Sequence, residues 1–182
     1  MNFLNLVEAR QSVRKYLNKP VEREKIERCL KAARFAPSAS NSQPWRFIVI
    51  DDPKLKDAVA KETFSKLISF NYFTLQAPVL ILLISEKTKL SVRIGGMIKN
   101  EQFSLIDIGI VAEHFCLQAT EEGLGTCILG WFNEKGVKKL LNISPSKRVK
   151  LIITVGYPES TIIRPKKRKP IDQIRSYNTY GL

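Results

Sequence analysis

The chain has 182 residues, 44% of them hydrophobic and 26% charged, and a formal net charge of +13. That apolar fraction is ordinary for a folded protein, so disorder is excluded, and the length suits one domain, 1–182, with a real core. Three cysteines (Cys29, Cys116, Cys127) and one histidine, His114, show no CxxC and no usual ligand spacing; this argues against a metal site or a disulfide framework, and for small buried thiols in a reducing compartment. No N-terminal stretch combines basic, apolar and small-residue cleavage segments, and the longest strongly apolar run, 78–85, is far too short to span a bilayer. A soluble, cytoplasmic protein without membrane partners is expected. The basic balance could serve nucleic acid, a membrane surface or a small anion. Part of it is local, with Arg164, Lys166, Lys167, Arg168 and Lys169 inside six residues, and aromatics do not interleave with these cations as base stacking would need.

In chain order, residues 3–9 read as a short amphipathic helix with Asn2 as N-cap. It runs into Arg10-Gln11-Ser12-Val13-Arg14-Lys15-Tyr16. Two arginines four apart with a serine between can converge on one anion if the turn stays helical, and a plain surface-charge role is equally easy. After Pro20, the residues Ile26, Cys29, Leu30 and Ala33 follow the i, i+3, i+4, i+7 pattern, so a helix with one buried stripe is expected over 22–35. Pro37 stops it, because the residue before a proline is pushed out of the α region. The loop that follows, Ser-Ala-Ser-Asn-Ser-Gln, is closed by Pro44 and offers hydroxyls, amides and close backbone approach. Both a connector and a binding loop fit it.

A strand is expected over 46–50. Asp52-Pro53 then marks a helix start, with helix over 55–66. Residues 67–76 are aromatic-rich and suit a pocket wall or an interface. Residues 79–84 are apolar on both faces, as in a central strand. Residues 91–99 read as a connection broken at Gly95-Gly96. The longest helix is expected over 101–122, and its apolar residues, from Phe103 to Ala119, surround it almost completely. A helix apolar all round is buried all round, which in a chain of this size implies a covering second subunit. Gly123 and Gly125 end it. A strand over 126–129, a turn at Gly130-Trp131-Phe132, a helix over 134–141 and a strand over 149–155 follow. The last stretch, 159–182, has few core residues and is expected to wrap over the surface or a partner. Helices and strands mix without regular βαβ alternation, so the class is α+β.

Taken together, these pieces resemble the nitroreductase family of flavin-dependent oxidoreductases. The resemblance rests on RQSVRKY at 10–16, APSASNSQPWRF at 36–47, GLGTC at 123–127, ILGWF at 128–132, GYP at 156–158 and PKKR at 165–168. It implies a mainly antiparallel sheet with helices on both faces, in an intertwined homodimer that binds FMN at the subunit interface. The extension 159–182 would reach across the partner. NADH or NADPH would be the transient reductant and an electron-poor acceptor, such as a nitroaromatic or a quinone, the oxidant, in ping-pong order.

The same resemblance implies roles residue by residue. Arg10, Ser12, Lys166 and Arg168 would form the phosphate cradle, since charge-assisted bonds to phosphate are the strong class. Gln11 would lie along the ribityl chain and Arg14 beside the N1/O2 edge of the flavin. Pro37, Ser38, Ala39 and Asn41 would belong to a loop lent by the other subunit. Leu129 and Gly130 would offer backbone N–H groups to N5 and O4. No residue is expected to be catalytic in its own right, and Arg14 would tune the flavin. A unit charge about 4 Å away at an effective dielectric near 20 is worth roughly 4 kcal/mol, and would favour the reduced, negatively charged ring. The chain is shorter than the larger nitroreductases, and 67–76 does not match cleanly, which leaves Asn71 as a candidate for the far edge of the ring. Two alternatives stand beside this reading: a non-catalytic anion- or nucleic-acid-binding protein on the same scaffold, and a specialised flavin dehydrogenase or dehalogenase.

Overall fold

Strand β2 (Val79–Ser85) sets the layering. Its side chains alternate between two packed cores, with Val79, Ile81 and Leu83 in one and Leu80, Leu82 and Ile84 in the other. Period-two alternation with both faces apolar forces cover on both sides of the sheet. The computed structural model describes residues 2–65, 69–87, 90–99 and 101–181. Its sheet has four strands in the order β1-β2-β4-β3, with β1 at Trp45–Ile50, β3 at Gly125–Leu129 and β4 at Arg148–Gly156. Every pairing is antiparallel, and β2 and β4 shift register between Leu83 and Ile84. The α+β class and the helix-covered antiparallel sheet are as expected.

Helices α2 (Arg23–Arg34) and α5 (Phe103–Glu121) cover one face, with Ile26, Cys29, Ala33, Val111 and Phe115 in its core. Helices α3 (Pro53–Lys61) and α6 (Glu134–Leu140) cover the other, through Val59, Ala60 and Val137. The short α1 (Phe3–Ala9) lies against α5 and buries none of its own residues. Asn2 and Asp52 cap α1 and α3 as expected, each accepting from the backbone N–H three residues on, at 2.9 and 2.8 Å.

Two expectations need correction. Residues 91–99 are no connection: a helix, α4, runs Leu90–Lys99 through Gly95-Gly96. A glycine in a helix costs up to about 1 kcal/mol, and here Gly96 is needed. A Cβ on it would lie 2.6 Å from the Glu101 carbonyl oxygen, and its own carbonyl accepts from Glu101 N–H at 2.9 Å. Helix α3 ends at Lys61 rather than running toward 66, which lies outside the described residues. Thr63 ends it by donating to the Ala60 carbonyl at 2.7 Å. Helix α5 buries Asp107, Ile108, Val111, Ala112, Phe115, Cys116 and Ala119 within its own chain and leaves apolar surface in its first turns, where Leu105 is 42% and Ile106 53% exposed. Of the aromatic-rich stretch, 67 and 68 lie outside the described residues, and Tyr72–Gln76 forms a 3-10 turn.

Candidate functional site: a cationic cleft

Beyond α1 the chain does not remain helical. Residues 12–16 run along the edge of the sheet instead, so Arg10 and Arg14 do not share a helix face. Ser12 bridges Thr126 of β3 in parallel, Val13 N–H donates to the Thr126 carbonyl at 2.8 Å, and Tyr16 bridges Pro158. Close approach here depends on Gly125, where a Cβ would stand 2.6 Å from a Val13 methyl. On the outer side the segment is met by the stretch after β4. Gln11 Nε2 donates to the Ile162 carbonyl at 3.0 Å, and Gln11 Oε1 accepts from Arg164 N–H at 3.2 Å and Arg164 Nε at 3.1 Å. Arg164 also donates to the Ser12 carbonyl, and Lys166 Nζ to the Glu8 carbonyl.

These contacts shape a cleft of about 400 Å³, lined by Arg10, Gln11, Ser12, Arg14 and residues 164–168. Arg10, Arg14, Arg164, Lys166, Lys167 and Arg168 line it, and among the described residues no carboxylate does. Glu113 of α5 reaches Arg10 from outside, accepting from Nε at 3.2 Å. Such a donor set suits a multiply charged oxyanion, because arginine and lysine make the strong, charge-assisted bonds to phosphate and the serine adds a neutral donor. A second cleft of about 430 Å³ adjoins the first across Gln11 and Arg164, and Arg14 lines both. The Arg14 guanidinium lies 5.9 Å from the centroid of Phe73.

The other expected site residues sit elsewhere in the chain. Leu129 is buried at the end of β3, and Gly130, exposed, begins the turn out of it. Asn71 pins that turn: its side-chain amide donates to the Trp131 carbonyl at 3.1 Å and to the Thr63 carbonyl at 3.2 Å. Pro37, Ser38, Ala39 and Asn41 contribute nothing to the lining of either cleft. Their loop is held by its own small side chains: Ser38 Oγ accepts from Gln43 N–H at 2.9 Å, and Ser42 Oγ donates to the Ala39 carbonyl at 2.6 Å. Ser40, Asn41 and Gln43 have φ of 49°, 52° and 48°, in the left-handed region. Ala39 N–H donates at 3.1 Å to Asp107 of α5, whose other carboxylate oxygen is buried with no partner among the described residues.

Two residues of the site escape a reading of the sequence. Arg164 belongs to the basic run yet stands outside the motif match, and only the fold shows it between the two clefts. Glu113 carries no sequence signal, since a single acid on a long helix is usually solvated.

One four-stranded antiparallel sheet covered by helices, with a cationic cleft at its edge, defines a class of α+β protein. The nitroreductase family model matches residues 7–157, and the chain belongs to that family. It is 28% identical over 197 residues to iodotyrosine deiodinase of Thermotoga neapolitana, an alignment that covers 97% of each chain. A Streptococcus pyogenes protein provisionally named an NAD(P)H nitroreductase is 26% identical, with 96% of this chain and 98% of that one covered. The solved FMN-dependent nitroreductase of Clostridium difficile R20291 superposes with a TM-score of 0.76 at 28% identity, over 98% of this chain and all of that one. Among the described residues no helix is long and apolar enough to cross a membrane.

Proposed function

We propose that the protein is an FMN-dependent oxidoreductase that draws electrons from NADH or NADPH. The carrying observation is the cleft itself: the N-terminal arginines and the late basic run, about 150 residues apart in sequence, line one concave cationic surface. Bound FMN would supply the redox chemistry, taking a hydride from the reduced nicotinamide and passing two electrons to a nitroaromatic, a quinone or a similar acceptor.

The residues of this chain do the rest. Arg10, Ser12, Lys166 and Arg168 would hold the phosphate, joined by Arg164. Arg14, at the junction of the two clefts, would face the ring and stabilise negative charge on it. Gln11 lines both clefts and uses both ends of its amide on the tail, so it would fasten 162–164 over the cleft as well as lie along the ribityl chain. Leu129 and Gly130 would present backbone N–H groups from a turn that Asn71 keeps in place. Pro37, Ser38, Ala39 and Asn41 would serve the cleft of a second copy in a homodimer. The bare first turns of α5 and the exposed Ile171, Ile174, Tyr177 and Tyr180 of the extension are the apolar surfaces such a dimer would cover.

An absorbance spectrum of freshly purified protein, before and after NADPH under nitrogen, tests the reading. Flavin bands that bleach on reduction are expected. A colourless protein whose melting temperature ignores excess FMN would refute it. Within the same variant set, Arg168→Ala should weaken FMN retention and Arg14→Ala should keep FMN but slow its reduction. The deiodinase relative favours one second reading, reductive dehalogenation, for which the measurement is iodide release from iodotyrosine by the reduced protein.

A further inference from the structure

Arg14 is exposed, so its guanidinium is only as well placed as the backbone that carries it. That backbone is tied to the sheet from beneath. The Tyr16 hydroxyl donates to the Val13 carbonyl at 2.8 Å, closing a short loop around Arg14. The same oxygen lies 2.6 Å from the Thr154 hydroxyl on β4. With its one proton on Val13, Tyr16 must accept there, so Thr154 donates to Tyr16 and Tyr16 to Val13, a chain in which each bond polarises the next. The contact of Thr154 with the Cys127 carbonyl, at 3.4 Å, is the long one.

The surroundings leave the ring no other place. Tyr16 is 7% exposed and Thr154 fully buried. Burial raises the Tyr16 phenol far above its ordinary range, so it stays a neutral donor. A Cβ at Gly156 would stand 2.8 Å from the Tyr16 ring. Leu17 N–H donates to the Tyr157 carbonyl at 2.9 Å, and Glu159 N–H to the Lys15 carbonyl at 3.1 Å, fixing the chain on either side of Tyr16.

We infer that Tyr16 and Thr154 are positioning residues that hold Arg14 at the electron-accepting ring, so that a hydroxyl pair inside the sheet sets the reduction potential of the bound cofactor. The inference rests on the flavin reading above. Its test is a potentiometric titration of the FMN-loaded protein and of R14A, Y16F, T154V, T154S and the Y16F/R14A double variant. Removing the Arg14 cation should lower the equilibrium constant for two-electron reduction about a hundredfold, which is about 60 mV more negative. Y16F keeps the ring and loses the hydroxyl's bonds to Val13 and Thr154, and should lower the constant about tenfold, or about 30 mV. T154V leaves the bond to Val13 but removes its reinforcement and should give a smaller shift in the same direction. T154S, which keeps the hydroxyl, should restore the wild-type potential. Y16F should add nothing on the R14A background.

If R14A leaves the potential unchanged, the placing of Arg14 at the ring is wrong and this inference falls with it. If R14A shifts the potential while Y16F and T154V do not, the inference alone is overturned. Full additivity of Y16F and R14A would also overturn it, because Tyr16 would then act by another route. Should Y16F fold poorly, the T154V and T154S pair decides by itself.

Discussion

The cationic cleft and the loop at 37–43 are anchored by the same helix in different ways. In α5, Glu113 pairs with Arg10 at the cleft, and Asp107, six residues earlier, accepts from Ala39 in the loop. Glu113 is partly exposed and leaves the cleft open, whereas Asp107 is 3% exposed and keeps one oxygen without a partner among the described residues. The cleft is assembled within one chain, from residues 10–14 and 164–168. The loop is fixed in a left-handed conformation yet lines neither cleft. A surface made to meet a ligand can stay solvated until the ligand arrives. A segment held in an uncommon backbone conformation needs a buried anchor at all times.

The largest effect should come from the cleft. A charge-assisted hydrogen bond contributes about 1.5–3 kcal/mol, so R10A combined with R168A should weaken FMN binding about a hundredfold or more in a fluorescence titration. Asp107→Ala comes next. It leaves the Ala39 N–H without its acceptor, which should cost about 1–3 kcal/mol in urea denaturation. Its effect on FMN affinity should be well below that of the cleft variant, and equal losses would erase the contrast between the two regions.

Alkali probes the helix that both regions share. Burial pushes the thiols of Cys29 on α2 and Cys116 on α5 up to about 12, from an ordinary value of 9.0. The folded state therefore keeps protons that the unfolded state releases. That stability is fully present below pH 9 and is lost as pH rises toward 12. Denaturation midpoints should fall across that window, and replacing both cysteines by alanine should flatten the fall. The smallest change is expected from Ser40→Gly, which relieves the left-handed backbone and should stabilise the fold by less than about 1 kcal/mol. A marked loss would mean that the Ser40 side chain, not its backbone, matters to the loop.

Much of the architecture is legible in the amino-acid sequence. The double-faced apolar run of β2, the stripe of α2 and the caps at Asn2 and Asp52 are local patterns with local causes, and they place the layers. The short motifs point to the family because their order follows from a shared fold. The helix at Leu90–Lys99 stays hidden, since a Gly-Gly pair weakens helix propensity and only the close approach of Glu101 shows why it is there. Asn71 is only a candidate for the far edge of the ring in the sequence, because an amide does not show what it faces; its bond to the Trp131 carbonyl adds the part of a brace.

The apolar alternation, the capping chemistry and the cationic inventory follow from the order of residues alone, because each depends on neighbours a few positions apart. Folding in three dimensions was needed to bring Arg10 and Arg168 to one cleft, to give Gln11 the tail to hold, and to set Tyr16 and Thr154 beneath Arg14. Those meetings join residues more than a hundred positions apart. They exist because an antiparallel sheet brings β3, β4 and the segments flanking them side by side, at distances that no local pattern encodes.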